Sequence, residues 1–363
     1  MIIGVPTEVK NNESRVGLTP SSVQKIVSSG HDVLIQKDAG ANIGFFDDQY
    51  LSVGGKILNS AEDVYKSSEI IVKVKEPITD EYIYLRDDLT LFTYLHLAGD
   101  PENAKKLIDT GVTGIAYETV TAADGSMPLL APMSTIAGQL AFIVGSYHLL
   151  KHNKGKGVMI GKMEDIEPRI VTVVGAGVAG TQSISKALDN NALVKVLDTS
   201  ESKLQALEKE FGSKNIEFIM STNESVQTSI NESDLVIGSV YVVGKEAPKV
   251  VSKDMLISMK PGTVMVDVSI DQGGCFESSK PTTHDNPTFV ENDIVHYCVT
   301  NMPGAVPLTA TEALNKVTLS YIVNLANKGI DKALSEDKHL RNGLNIQHGT
   351  ITHQGVKDSL EKF

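Results

Sequence analysis

A chain of 363 residues has room for two domains at about 150 residues each, and for sizeable cores. Hydrophobic residues make up 41% and charged residues 21%, an ordinary balance that excludes a disordered or fibrous protein. Lys plus Arg number 33 against 45 Asp plus Glu, a net charge of −12, and without a basic cluster this argues against nucleic-acid or anionic-membrane partners. No apolar run approaches the ~20 residues of a membrane helix. Residues 1–8 have no basic flank and no long apolar core, so no signal peptide is expected there. Cys275 and Cys298 give neither a disulfide framework nor a zinc spacing. The expectation is a reduced, cytoplasmic α/β protein without a catalytic metal.

Short apolar runs alternate with amphipathic pieces from the start. Residues 2–5, 32–35, 70–74, 91–95 and 114–117 are expected as strands, with helices over 20–29, 48–54, 61–67 and 101–110. This alternation predicts a mostly parallel sheet covered on both faces. Asp124-Gly-Ser-Met-Pro128 is turn-rich and closes the first unit. Ser134 then suits an N-cap, with a long apolar helix over 135–150 that suits burial between domains or subunits. After the Gly/Lys-rich stretch 151–162, strands are expected at 170–174, 194–197, 217–220, 235–240, 263–268 and 297–300. Helices are expected at 177–188, 202–211, 224–233 and 253–259. Past the turn-rich Asn301-Met-Pro-Gly-Ala-Val-Pro307, an apolar-striped helix over 309–328 suggests a return to the first domain. The expected fold is therefore two doubly wound Rossmann-like domains joined by long helices. The first comprises 1–128 with about 308–363, the second about 129–307.

Gly175-Ala-Gly177-Val-Ala-Gly180 follows an apolar strand and opens a helix, and Asp198 ends the next strand. That context makes it a dinucleotide fingerprint. Gly175 allows a tight turn, Gly177 lets backbone approach a pyrophosphate, and Gly180 lets helix and strand pack closely. The helix N-terminus offers N–H groups to the phosphates, and Asp198 can accept from a ribose 2′-hydroxyl, which favours NAD over NADP.

Arg15 lies in a strand-to-helix loop, where its planar fork suits a small carboxylate, although singly an exposed structural arginine is the commoner case. Lys75 and His96 each end an apolar run, where open α/β sheets place ligands. Alone, Lys75 reads as a strand-end solvent contact and His96 as a core histidine; together they point toward a site. His96 has an acid/base side chain, with an ordinary pKa of about 6.5. Asp271 follows a strand of the second unit. It is either a site acid or a turn residue before Gly273-Gly274, and Asp267, within that strand, is the rival acid. The other histidines show no ligand spacing.

These residues sit in segments that resemble the alanine dehydrogenase family, a group that also includes the NAD-binding subunit of proton-translocating transhydrogenase. The most specific segments are Ile3-Gly-Val-Pro6 with 13–20, Val72-Lys-Val-Lys75-Glu-Pro77 and Leu91-Phe-Thr-Tyr-Leu-His96. Further on come Ala116-Tyr-Glu-Thr119, Pro128-Leu-Leu-Ala-Pro-Met-Ser134, residues 266–274, and His296-Tyr297 with 301–307. The resemblance spans residues 1 to about 343. It implies reversible NAD-dependent oxidative deamination of L-alanine to pyruvate and ammonium, and a homo-hexamer. Arg15 matches the carboxylate-binding arginine, Lys75 the lysine at the keto or imino group, and His96 and Asp271 the catalytic acid/base pair. Tyr94, Leu130 and Met133 fall near a methyl-sized pocket. Ser134, Val178, Ala179, Asp198, Lys203, Ser221, Val240, Tyr241 and Lys280 fall where the family contacts NAD. Val268, Ser269, Ile270 and Asp271, and Val299, Thr300, Asn301 and Met302, do likewise. Leu308 replaces a basic residue, and Tyr241-Val-Val-Gly244 a more proline-containing loop. The alternatives are the transhydrogenase subunit and a related imino-acid reductase.

Overall fold

The structure, a computed structural model, describes residues 1–78, 80–242 and 246–361. Val243 and Gly244 of the substituted loop lie outside the described residues. The chain divides into two compact units. The first comprises Met1–Met133 and the segment from Gly304 onward, the second Ser134–Val242 and Glu246–Pro303.

In the first unit, β1 (Ile2–Val5), β2 (Asp32–Gln36), β3 (Lys56–Leu58), β4 (Ile70–Val72), β5 (Thr90–Thr93) and β6 (Thr113–Ala116) all pair in parallel, in the order β6-β5-β4-β1-β2-β3. Strands β4, β5 and β6 are buried throughout, as strands covered on both faces must be. Their helices are capped by side chains: Thr19 accepts from the Ser22 N–H, Ser60 from Asp63 and Asp100 from Asn103. Each such cap satisfies a donor with no intrahelical partner.

In the second unit, β7 (Ile170–Val174), β8 (Leu193–Asp198), β9 (Ile216–Met220), β10 (Leu235–Gly238), β11 (Val264–Asp267), β12 (Thr288–Glu291) and β13 (Ile294–Tyr297) form a sheet ordered β12-β13-β11-β10-β7-β8-β9. Only β12 pairs antiparallel among its described strands. Val171, Val173, Val196, Leu235, Ile237, Val264 and Val266 form its core. The chain then returns to the first unit, where β14 (Leu344–Gln347) and β15 (Thr350–Ile351) extend the first sheet antiparallel beyond β6.

Several expectations shift. The long apolar helix runs Ala131–His148, so Ser134 lies within its first turns rather than capping it. Pro132 is compatible with that early start, because proline is tolerated in the first turn. The segment read as a helix over 253–259 is a 3₁₀ turn, Asp254–Ser258. The strand read at 297–300 ends at Tyr297. Gly138 brings this apolar helix against the next one: a Cβ there would stand 2.1 Å from the Ala179 carbonyl.

Candidate active site and dinucleotide site

In the first unit, Arg15 is 2% exposed, not the exposed structural arginine that its loop position alone suggested. The loop is pinned by the helix Pro307–Lys328: Val16 N–H donates to Thr311 Oγ1 and Thr19 N–H to Asn315 Oδ1. Glu13 takes one edge of the guanidinium, at 2.7 Å from Nε and 2.5 Å from Nη2. This bidentate pairing fixes the plane of the fork. Burial opposes the charge, yet the bonds to Glu13 outweigh it and hold the Arg15 pKa above its ordinary value. Nη1 points at the Met133 Sδ, 3.2 Å away.

Lys75 follows β4 and is 4% exposed. Its Nζ lies 3.4 Å from Glu76 Oε2, and Lys10 holds the other Glu76 oxygen at 2.6 Å. Burial raises the Glu76 pKa, but the charges of Lys75, Lys10 and His96 override it and hold this carboxyl well below the usual range. Behind them Lys73, fully buried, lies between Glu81 at 2.6 Å and Glu8 at 3.2 Å. Tyr65 donates to Glu81, and Glu8 accepts the Val74 N–H at 2.6 Å. Burial pushes the Glu8 carboxyl up.

His96 follows β5 and is half-buried, so it is not a sealed core histidine. Its ring stacks on Tyr94 at 5.6 Å, with the planes 9° apart. Tyr94 is buried and donates to the Leu129 carbonyl at 2.6 Å, beside the half-buried Leu130. The first unit thus gathers Arg15, Lys75, Tyr94, His96 and Met133.

In the second unit, Gly175 has φ +106°, and a Cβ there would meet the Ser239 carbonyl at 2.8 Å. At Gly180 a Cβ would stand 1.9 Å from the Gly175 carbonyl, so only glycine lets the helix Val178–Asp189 start this close to β7. A Cβ on Gly177 meets nothing within 4 Å. That open approach beside a helix N-terminus fits a dinucleotide pyrophosphate. Val178 and Ala179 begin the helix.

Asp198 ends β8, and its carboxylate accepts the N–H groups of Ala176 and Ser200, each at 2.8 Å. Lys203 Nζ stands 3.9 Å from it. Ser221 N–H donates to the Asp198 carbonyl. Val240 and Tyr241 follow β10, and Ser269 Oγ donates to the Val240 carbonyl at 2.7 Å. Val268 and Ile270 lie on the same loop, and Asp271 accepts the Asn301 N–H at 3.3 Å. This joins the 268–271 and 299–302 loops, with Val299 and Met302 buried and Thr300 half-buried. Lys280 is exposed and paired with Glu291 at 2.7 Å.

The rival acid Asp267 is fully buried. It accepts from the N–H groups of Ser269, Cys275 and Phe276 and from the Ser279 hydroxyl. Burial raises its pKa against those bonds, and its oxygens are spent on the loop. It holds structure. Among the described residues, no cluster of His, Cys, Asp and Glu could hold a metal ion, and no helix is long and apolar enough to cross a membrane.

The family models for the N-terminal and C-terminal domains of alanine dehydrogenase/PNT match residues 4–137 and 141–354. The chain belongs to the alanine dehydrogenase/PNT family. It is 46% identical to the alanine dehydrogenase of Halomonas elongata over 99% of this chain and 96% of that one. It is 45% identical to that of Mycolicibacterium smegmatis, over 99% and 97%. A solved L-alanine dehydrogenase covers all of this chain and 99% of its own, with a TM-score of 0.92 and 44% identity. The transhydrogenase of Sinorhizobium meliloti superposes with a TM-score of 0.80 over 98% of this chain and 99% of that one. At 23% identity this second likeness speaks for the fold alone. Sequence reasoning passed over Glu8, Glu76 and Glu118 as site builders, where the available signal was an acid just past an apolar strand, and Glu13, where it was the nearby Arg15.

Proposed function

We propose that the protein is an L-alanine dehydrogenase: L-alanine + NAD⁺ + H₂O ⇌ pyruvate + NH₄⁺ + NADH + H⁺. The observation that carries this reading is the buried Arg15, turned by Glu13 toward Met133. A buried, oriented guanidinium suits a small carboxylate, and a thioether beside it suits a methyl group. The first unit binds substrate and carries Arg15, Lys75 and His96; the second carries the NAD site and Asp271.

A bound NAD⁺ would supply the acceptor for the hydride of alanine C2. Arg15 holds the substrate carboxylate, and Lys75 polarises the nitrogen or oxygen on C2. Water must then add to the imino carbon and ammonia must leave. His96 and Asp271 serve these proton transfers, one starting protonated and the other ionised. The open backbone at Gly177 would hold the pyrophosphate, and Asp198 would accept from the ribose hydroxyls. Tyr94, Leu130 and Met133 form the methyl pocket. Ser134, Lys203, Ser221, Tyr241 and Lys280 complete the cofactor contacts. The enzyme works in the cytoplasm in L-alanine catabolism as a homo-hexamer, for which the exposed Ile143 and Tyr147 of the long apolar helix offer apolar contact surface. Light scattering that finds a single 39.0 kDa species would remove the oligomer.

The decisive assay is NADH formation from L-alanine against a panel of other amino acids. His96→Ala should lower turnover by ~10²-fold or more while leaving NADH affinity intact. Arg15→Ala should raise the pyruvate KM or lower the rate by the ~1.5–3 kcal/mol of a charge-assisted contact. No response to L-alanine would overturn the reading in favour of a transhydrogenase-like subunit or another imino-acid reductase.

A further inference from the structure

His96 stands on backbone of φ 50° and ψ 32°, the left-handed region, which a non-glycine residue keeps only where its surroundings impose it. Those surroundings centre on one carboxylate. Glu118 is 4% exposed; its Oε1 accepts the His96 N–H at 2.6 Å, and both its oxygens lie 3.3 Å from the Leu95 nitrogen. Glu118 sits in the turn after β6, which pairs directly with β5. The carboxylate therefore clasps the ends of two neighbouring parallel strands at the point where the chain turns into His96. The ring itself has less to hold it. Its Nδ1 is buried with no hydrogen-bond partner among the described residues, and its ring contact is the stack on Tyr94. The direction of the imidazole is thus inherited from the backbone.

We propose that Glu118 is a positioning residue for His96: its carboxylate fixes the left-handed turn that aims the imidazole, without itself touching substrate. This rests on the reading of His96 as an acid/base group, and a double-mutant cycle on the full-length enzyme separates the two. Pyruvate, ammonium and NADH are the probes; kcat, KM and NADH affinity are the readouts. Glu118→Ala removes the acceptor and should lower kcat by about 10- to 100-fold, the equivalent of a charge-assisted hydrogen bond, with NADH affinity unchanged. Glu118→Gln keeps one oxygen for the His96 N–H and should lose about tenfold or less. In the His96→Ala background neither change should cost more, because there is no imidazole left to aim. Equal losses in both backgrounds, or full kcat in Glu118→Ala, overturn the proposal while the acid/base reading stands. Near-normal turnover by His96→Ala overturns the acid/base reading, and the proposal with it. Should Glu118→Ala fail to fold, Glu118→Gln decides the matter alone: its deficit must vanish when His96 is Ala.

Discussion

Around the buried cations of the first unit, charge holds charge. Glu13 grips Arg15, and Glu8 and Glu81 grip Lys73 two residues from Lys75. In the second unit, carboxylates hold backbone: Asp198 takes the N–H groups of Ala176 and Ser200, and Asp267 those of Ser269, Cys275 and Phe276. The difference fits what the proposed function asks of each unit. A small anionic substrate needs oriented cations, and buried cations need partners. A pyrophosphate needs exposed N–H groups, so the loop must be shaped while its face stays bare. The first unit should therefore be sensitive to removal of side chains, and the second to their addition.

The largest test removes the central cation. Lys73→Met keeps the volume but leaves Glu8 and Glu81 buried together, which should cost about 3–5 kcal/mol in urea denaturation. The pH dependence has a definite sign. The folded-state pKa of Glu8 is raised above its ordinary 4.5, so that part of the stability is complete below 4.5 and declines as pH rises through the folded value. Lys73→Met should steepen the decline; an unchanged denaturation midpoint at neutral pH would show that the trio does not support the fold.

Next in size is cofactor choice. Asp198 should give at least ~100-fold preference for NAD over NADP in kcat/KM, about 2.7 kcal/mol, since a 2′-phosphate would bring like charge against it. Asp198→Gly should narrow the ratio, helping NADP and harming NAD. Lys203, 3.9 Å away, moderates the repulsion. Equal use of the two cofactors by the unaltered enzyme would place the ribose elsewhere.

Addition of a single methyl sharpens the comparison further. Gly177→Ala meets no protein atom within 4 Å, so thermal stability should hold. NADH affinity should fall by about tenfold, a lost charge-assisted hydrogen bond. Gly180→Ala, driven against the Gly175 carbonyl, should lose both. Equal stability losses in the two variants would deny Gly177 its ligand-facing role.

The smallest effect is expected at Glu76, whose pKa burial raises but Lys75, Lys10 and His96 bring below 4.5. Its contribution is present above 4.5 and is lost as pH falls toward the lower folded value. Glu76→Gln should make the acid limb of the stability curve shallower by at most one proton. Superimposable acid limbs would refute the pairing.

Inner parallel strands were legible because burial on both faces writes them as apolar runs; Ile170–Val174 and Ile2–Val5 appear with their expected bounds. The edges were not. Lys56–Leu58, Thr288–Glu291 and Leu344–Gln347 are less buried, and only pairing with a neighbour makes strands of them. The glycine spacing and Asp198 could be proposed from sequence because that candidate site is local, a turn and the next strand end. Arg15 could be noticed, but its burial depends on Glu13 beside it and on Thr311 and Asn315, some 300 residues on.

Composition and period by themselves determined an α/β chain of mostly parallel sheets with a glycine-rich dinucleotide fingerprint, because apolar periodicity and turn chemistry are properties of neighbouring residues. Tertiary structure alone decided which groups face each acid. Asp267 and Asp271, four positions apart, differ in that the first is sealed among backbone donors and the second joins a loop from another strand. Glu118 gains its place only when β6 lies beside β5. A carboxylate's role is set by the groups that face it, and those come from distant parts of the chain.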